Sequence, residues 1–555
     1  MSDSTVFIAV DFGTAFSGYC FKFAGSEQIC EPKWGKEYGF NTPKTPTCIL
    51  FDENEKFLEF GYDAVMTYTR QTQKDDAKKL YLFDNFKMEL HGKELHRDIM
   101  ITSKNGKQIK AMKVFSESLR FMKDHALEMI GKKYSASDAT WILTVPAIWS
   151  EAAKQFMREA ATEAGLMTEA EPKRLIIALE SEAASVWCRQ LPSEGFMEGD
   201  LRGSEKIEVV PGTQYMVVDC GGGIVNITVH ETVKGGDLKE LFSVYENNMN
   251  GQTVNKNIEA FLRELLMEVF NEFNKEHASN LQRLVYACNA DLPRFYNTKV
   301  EYFQELFRKV NDTGAYSKKN PDWEQKLGAK MASFYDDSLK NIESLIKEAL
   351  KNPNLNISYI FLVGGFALSP YVNSFIRERF RRRYKVLCPA DAQMAVLRGA
   401  VTFGMRQNVV ESRISRYSYG IRIAEEFDQA KHRGKHKYGT KEGKVYCDVC
   451  FHCFVQKDES VLFDEVREFN FNPIERDQKH VQFDLYYTES KSARFVDERG
   501  MVKIGSLTIS MPVIKSGSPR RLKLQVKFGC PEMQATVRDL NTGEIGSVKL
   551  DIMSK

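Results

Sequence analysis

The sequence predicts a two-lobed α/β domain built on an internal duplication, followed by a smaller β domain of sandwich type. Three observations carry that expectation. An apolar strand, an Asp-x-Gly turn and a second strand occur twice, first over Val6–Phe23 and again over Tyr215–Val229. A further apolar run, Ile357–Val363, ends on Gly364-Gly365. After about residue 412 helical periodicity gives way to alternating apolar positions separated by turn residues. Two copies of one supersecondary unit suggest a duplicated architecture, and period-two alternation between turns suggests a β domain.

In chain order, Val6–Val10 is a buried-strand run that ends in Asp11-Phe12-Gly13-Thr14 and resumes as Ser17–Phe23, which predicts a hairpin. Residues 113–131 set Val114, Phe115, Leu119, Met122, Leu127 and Ile130 at helical spacing. Trp141–Val145 is a strand stopped by Pro146, and Ser150 is an N-cap for an Ala- and Glu-rich helix reaching Ala164, with Gly165 as its stop. Leu175–Leu179 reads as a strand, Ser181 onward as a helix, and the Gly-, Glu- and Pro-rich residues 192–213 as a loop. Tyr215–Val218 and Val225–Val229 flank Asp219-Cys220-Gly221-Gly222-Gly223. Residues 250–352 are mostly helical in pattern, a helix follows Pro370, and Lys385–Leu387 is a short strand. Farther on, Phe483/Leu485/Tyr487, Leu507/Ile509 and Leu522/Leu524/Val526/Phe528 alternate as strands do, and Asp539–Gly543 is a turn between the last two strands. The expected divisions are 1–212 and 213–406 for the two lobes and 412–555 for the β domain.

A chain of 555 residues is too long for one core. Hydrophobic residues at 43% and charged residues at 27% fit a soluble globular protein. A net charge of +2 gives no global reason to expect nucleic acid or a membrane surface. Met1-Ser2-Asp3-Ser4 lacks the basic start of a secretory signal, and no apolar run has spanning length. The 11 cysteines, odd in number and scattered through apolar runs, read as reduced thiols in a cytoplasmic protein.

Glycine directly after a buried strand lets backbone N–H groups approach a phosphate, and an Asp at the strand end holds magnesium directly or through water. Asp11, Gly13 and Thr14 supply a carboxylate, a close-approach backbone and a hydroxyl; Asp219, Gly221, Gly222 and Gly223 supply the same without the hydroxyl. Facing one another, two such turns would clamp a triphosphate with its Mg²⁺, which is most of what phosphoryl transfer requires. A single Asp-x-Gly is as readily a tight hairpin turn; the pair, with Gly364-Gly365, favours the phosphate reading.

Taken together these segments resemble the heat-shock 70 kDa protein family, whose actin-like ATPase fold (a duplicated ribonuclease H-like fold) is shared with actin and sugar kinases. Val10–Thr14 resembles the first phosphate turn. Thr144–Ser150, running into Ala160 and Ala164–Leu166, resembles the family's Val-Pro-Ala strand and helix, and Glu180–Ala184 its connecting segment. Val218–Gly223 resembles the second phosphate turn and Leu362–Phe366 the adenosine turn. The resemblance covers about residues 5–405, and its details are similar to a divergent 12A/12B-like branch. It implies ATP and Mg²⁺ as cofactors, with Asp11 and Asp219 holding the metal and its waters. Phe12, Gly13, Thr14, Gly221, Gly222, Gly223, Gly364, Gly365 and Phe366 would lie along the nucleotide, with Thr14 at the γ-phosphate. It makes Lys87 the candidate catalytic lysine and Glu180 the group that orients the attacking water or the metal shell. Without it, Glu180 is a carboxylate at a helix N-terminus and Lys87 a solvated surface lysine.

The sequence departs from the chaperone pattern at Ala15 and Ile224, where threonines are expected, at Asn226 in place of Asp, and at Phe366 in place of Ser. Ile224 removes a hydroxyl beside the terminal phosphate, and Phe366 stacks on or crowds the nucleoside. Tyr417–Ile421 and Gln534–Gly543 resemble the opening strand and closing hairpin of the family's substrate-binding β domain. The acidic leucine-rich linker is replaced by Gln407–Arg416, and neither a helical lid nor an acidic tail follows the β region.

Two local features stand apart. Cys447-x-x-Cys450-x-x-Cys453, with His432, His436 and His452 nearby, has spacing that suits zinc. It lacks a second ligand pair and lies on a predicted strand, which favours plain thiols. Arg377, Arg379, Arg381, Arg382, Arg383 and Lys385 form a basic run best read as a solvated helix end, with an anion or nucleic-acid site as the alternative. The leading functional expectation is an ATP-binding relative of the chaperones with slow hydrolysis, whose β domain contacts client or signalling proteins. A nucleotide-binding scaffold without useful hydrolysis and a sugar kinase are the alternatives. The kinase lacks an evident sugar-binding cluster with its base.

Overall fold

The structure is a computed structural model. It describes residues 5–72, 79–197, 209–247, 333–440, 443–474, 478–510, 520–543 and 545–547, with scattered positions between 251 and 260 and Met553. The helical expectation for 250–352 therefore lies, over 261–332, outside the described residues. The chain divides into two compact units. The first comprises Met1–His91, Asp98–Ile148 and Met157–Val409; the second comprises Gly92–Arg97, Trp149–Phe156 and Val410–Lys555.

The first unit is organised by two sheets. One is built from β1 (Val6–Phe12), β2 (Phe16–Phe23), β3 (Ala139–Val145) and β4 (Leu175–Leu179). β1 pairs antiparallel with β2 and parallel with β3, which pairs parallel with β4. The other holds β5 (Gln214–Cys220), β6 (Ile224–Thr232), β7 (Leu238–Asn247), β8 (Ile357–Val363) and β9 (Lys385–Leu387). β5 pairs antiparallel with β6 and parallel with β8, and β8 pairs parallel with β9. The central order β4-β3-β1-β2 thus recurs as β9-β8-β5-β6. In both cases an Asp-x-Gly turn joins the antiparallel pair. β1, β3, β4 and β5 are apolar on both faces because helices cover parallel sheets on two sides.

Helices fix these sheets. α1 (Ala111–Ile130) brings Phe115 onto Phe12 at 5.7 Å between ring centroids. α2 (Glu151–Glu163) starts at Ser150, whose Oγ accepts the Ala153 N–H at 3.2 Å, and stops at Gly165, which adopts a φ of 79°. α3 (Glu180–Cys188) begins one residue earlier than the sequence suggests and follows β4 directly, so Glu180 projects from a strand end. α4 (Asp336–Leu350) and α5 (Pro370–Phe380) bury Leu339, Ile342, Val372 and Ile376 against the second sheet. α6 (Ala395–Met405) crosses α3 so closely that a Cβ on Gly399 would lie 1.7 Å from the Ala183 carbonyl oxygen. The basic run lies where expected, at the end of α5, with Arg379 Nε 2.9 Å from Glu343.

The second unit is strand-rich. β10 (Ser418–Glu426), β11 (Val445–Val455), β13 (His480–Thr488) and β14 (Val502–Ser510) form one sheet with the short strand Lys437–Gly439. β12 (Val466–Phe471), β15 (Leu522–Lys527), β16 (Gln534–Asp539) and β17 (Ile545–Ser547) form another. Alternate residues of both sheets, among them Ile421, Phe483, Leu485, Leu507, Leu522, Leu524, Val526 and Val537, enter one shared core. Two sheets that bury one face each in this way make a sandwich. Among the described residues no helix is long and apolar enough to cross a membrane.

Candidate functional site

The two Asp-x-Gly turns and the Gly364-Gly365 turn converge on one pocket of the first unit. Asp11, Gly13, Thr14, Lys87, Glu180, Asp219, Gly221, Gly222, Gly223, Gly364, Gly365 and Phe366 all line it, with Lys44, Ile224 and Asn226. The glycines permit the convergence. A Cβ on Gly222 would come within 2.5 Å of the Ala15 Cβ, and one on Gly223 within 2.6 Å of Thr14 Oγ1, so the two turns meet face to face. Gly364 has a φ of 89°, and a Cβ there would lie 2.4 Å from the Cys220 carbonyl oxygen and 2.8 Å from Asp219 Oδ1.

One expected residue lies elsewhere. The Phe12 side chain is fully buried, packed on Phe86 and Phe115, and does not line the pocket. Strand alternation explains this placement: Asp11 and Gly13 share one side of the chain, and the side chain between them points to the other. Phe366 does reach the pocket wall, but it is buried and its ring lies parallel to Tyr335 at 5.9 Å, so one face is already stacked.

Lys87 is no solvated surface lysine. Its side chain is 1% exposed, and Nζ donates to Glu180 Oε1 at 2.7 Å. Burial raises the Glu180 pKa above the ordinary carboxylate value, with the Asp11 charge adding to that; Lys87 partly offsets both. Asp11 is also buried, which works against its charge. The Lys44 and Lys87 ammonium groups and hydrogen bonds from Lys44 (2.5 Å) and Thr144 (2.9 Å) outweigh burial and hold its pKa below normal. Among the described residues Asp219 has no ion pair: burial first, then the charges of Glu180 and Asp11, push its pKa up to about 7 against the weaker pull of Lys44 and Lys87. Sequence reasoning missed Lys44 and Thr144, which enter the site from an irregular Pro-flanked segment and from β3. Lys44 carries no local motif, and Thr144 reads only as part of a strand motif, not as a site residue.

Three carboxylates and two ammonium groups in one pocket leave a site that a divalent cation would complete. Asn226 adds a buried carbonyl oxygen, Oδ1, without a hydrogen-bond partner among the described residues. Oxygen donors of this kind suit Mg²⁺ with its waters, and glycine turns that a Cβ would obstruct suit a phosphate chain, so these residues fit the group.

A nucleotide-binding protein of the actin-like ATPase class is what such a fold and site define. A family profile described as Hsp70 protein matches residues 44–446, and the chain belongs to that family. Heat shock 70 kDa protein 12A of Homo sapiens is 29% identical over 99% of this chain and 92% of its own length. The Mus musculus protein of the same name gives the same figures, and Heat shock 70 kDa protein 12B of Homo sapiens is 28% identical over 99% of this chain and 91% of its own.

Proposed function

We propose that the first unit binds ATP with Mg²⁺ in a cleft between two lobes, residues 1–212 and 213–406, of a duplicated ribonuclease H-like fold. The observation that supports this most is the convergence of three glycine turns, two strand-end aspartates and a buried Lys–Glu pair on one pocket. On this reading the amides of Gly13, Gly221, Gly222 and Gly223 face the phosphates, and Gly364, Gly365 and Phe366 flank the nucleoside. Asp11 and Asp219 hold Mg²⁺ through water. Bound there, the metal would neutralise the phosphates and offset the burial and carboxylate repulsion that together raise Asp219. Thr14 lies toward the γ-phosphate, Lys87 neutralises charge there, and Glu180, oriented by Lys87, positions the attacking water. The sandwich unit (residues 412–555) binds client or signalling proteins. Free thiols at all ten described cysteines favour the reducing cytoplasm.

Hydrolysis is slow on this reading, because Ile224 brings a hydrocarbon rather than a hydroxyl to the phosphate end of the pocket. The same residue favours a second reading, a nucleotide-binding scaffold without useful turnover. Mg-ATP at 100 times its Kd stabilises the chain by about 2.7 kcal/mol through linkage. A well-folded sample whose thermal midpoint ignores millimolar Mg-ATP would refute nucleotide binding. Single-turnover hydrolysis then separates the two readings. Turnover lost in Lys87→Ala while the Mg-ATP shift survives supports the ATPase; no turnover in the unaltered chain supports the scaffold.

A further inference from the structure

Cys447 and Cys450 lie three positions apart on β11, a spacing that in a regular strand sends side chains to opposite faces. The register between β10 and β11 shifts here: Ile423 pairs with Cys450 and Glu425 with Cys447. The single β10 residue between those pairs is opposed by Asp448 and Val449 on β11. This bulge changes the parity and turns both thiols to one side. It is held in place from outside, since Asp448 accepts a hydrogen bond from Arg422 Nη2 at 2.6 Å and lies 2.7 Å from His436 Nδ1.

The chain that leaves β10 folds back over these thiols. His432 is 2% exposed, and its main-chain N–H donates to the Asp428 carbonyl at 2.8 Å. His432 Nε2 lies 3.7 Å from Cys450 Sγ and 3.7 Å from Glu425 Oε2. One ring nitrogen of His432 and the two sulfurs all lie within 4.8 Å of one another. In a tetrahedral zinc site, with sulfur at about 2.3 Å and nitrogen at about 2.0 Å, neighbouring ligand atoms are separated by about 3.6 Å. The two edges from His432 Nε2, to Cys450 Sγ and to Glu425 Oε2, are close to that figure. Phe427 and Phe495 pack against His432, and Phe495 joins Cys447 and Cys450 in a small apolar cluster.

We infer that the second unit binds a structural zinc ion through Cys447 Sγ, Cys450 Sγ and His432 Nε2, with the half-exposed Glu425 carboxylate, which lies beside Nε2 but outside that three-residue cluster, turning in as the fourth ligand on binding. Two thiolates select zinc over the hard cations that oxygen ligands prefer. The upstream His–Glu pair is the half-site that the spacing of the cysteines alone does not reveal. Cys453 is not a ligand, because its thiol points to the Val455 carbonyl, 3.3 Å away. Both cysteine thiols lose their protons on binding. His432 Nδ1 accepts the Asp428 N–H at 3.0 Å, so ligation through Nε2 moves the ring proton to Nδ1 and breaks that bond. One neutral hydrogen bond is exchanged for a complete coordination shell. The ion closes the loop between β10 and β11 and fixes its path over the sheet.

The test uses the full chain, tag removed, produced with added zinc and purified under reducing conditions. Metal analysis should find about one zinc per chain, since structural sites of this type survive purification. The double variant Cys447→Ser/Cys450→Ser should lose it, and Cys453→Ser should keep it. If the double variant fails to fold, cobalt(II) titrated into the chelator-treated, unaltered chain gives an independent reading: tetrahedral visible bands with thiolate-to-cobalt charge transfer. Zinc retained by a folded double variant, or neither zinc nor those cobalt bands in the reduced unaltered chain, overturns the inference.

Discussion

Asp11 and Asp219 end equivalent strands, each two residues ahead of a turn glycine, yet their carboxylates sit in different fields. Asp11 carries the Lys44 ammonium at 2.5 Å and the Thr144 hydroxyl at 2.9 Å, and its pKa is held down. Asp219 has the Gly364 turn pressed against it and no ion pair among the described residues, and its pKa is pushed up to about 7. A duplicated backbone therefore supports two electrostatic roles. The first aspartate is given a counter-charge by Lys44, and the second has no ion pair among the described residues. The asymmetry comes from outside the repeat, from Lys44 and Thr144.

The largest expected effect is a difference in sign. Asp11→Asn leaves a buried Lys44 ammonium, 13% exposed, without its partner; breaking such a pair typically destabilises by about 3–5 kcal/mol. Asp219→Asn removes a charge that the metal-free fold resists, so it stabilises that state at pH 8, by roughly 2–4 kcal/mol. Denaturant unfolding of both variants in EDTA checks this. Two destabilised variants of equal depth would show that the aspartates are electrostatically equivalent after all. Asp219→Asn should also forfeit most of the Mg-ATP shift despite its higher starting stability, which separates a ligand role from a fold role.

The backbone half of this site was legible in the sequence, and its charge balance was not. Strand-end glycines mark themselves because only a residue without Cβ tolerates the Gly222–Ala15, Gly223–Thr14 and Gly364–Cys220 approaches. Lys87 and Glu180, 93 positions apart, pointed to the site only through the family resemblance; in isolation both look like surface charges. Lys44 was silent because a lysine in a Pro-flanked segment carries no periodicity. The sandwich shows the same limit. Alternation found its core residues Phe483, Leu485, Leu507 and Leu524. The bulge at Asp448-Val449 reverses the parity that alternation assumes, so the sequence alone does not show that Cys447 and Cys450 share one side of the strand.

A smaller effect follows from the raised Asp219 pKa, and its sign is fixed by linkage. The native carboxyl keeps its proton to about pH 7, whereas the unfolded one releases it near 3.8. The native state thus binds more protons across that window. Stability of the metal-free protein falls as pH rises from about 4 to 7 and is level, for this group, above it. Glu180, also raised, slopes the same way; Asp11, lowered, stabilises above the ordinary carboxylate range and loses that contribution only as pH falls through its own depressed pKa. The clean quantity is the difference between the unaltered chain and Asp219→Asn in EDTA, which should widen between pH 4 and 7 in favour of the variant. A pH-independent difference would mean that Asp219 is ionised at every pH tested and that the contrast with Asp11 is false.

The smallest effect concerns the turn glycines, which look alike and serve different ends. A Cβ on Gly13 would meet the Phe16 carbonyl oxygen at 2.2 Å, inside its own hairpin. A Cβ on Gly223 would meet the Thr14 side chain, with Oγ1 at 2.6 Å and Cβ at 2.7 Å, across from the other turn. Each Gly→Ala change should destabilise the fold by about 1–3 kcal/mol, but only one obstacle is a side chain. Thr14→Gly removes the three nearest atoms that confront Gly223 and none of the three nearest to Gly13. In a double-mutant cycle Gly223→Ala and Thr14→Gly should therefore couple favourably by about 1 kcal/mol, while Gly13→Ala and Thr14→Gly should lack this relief. Additivity within about 0.5 kcal/mol in the Gly223 cycle would place the two turns farther apart in solution. Gly223 would then owe its place to the phosphate approach alone rather than to the opposite turn.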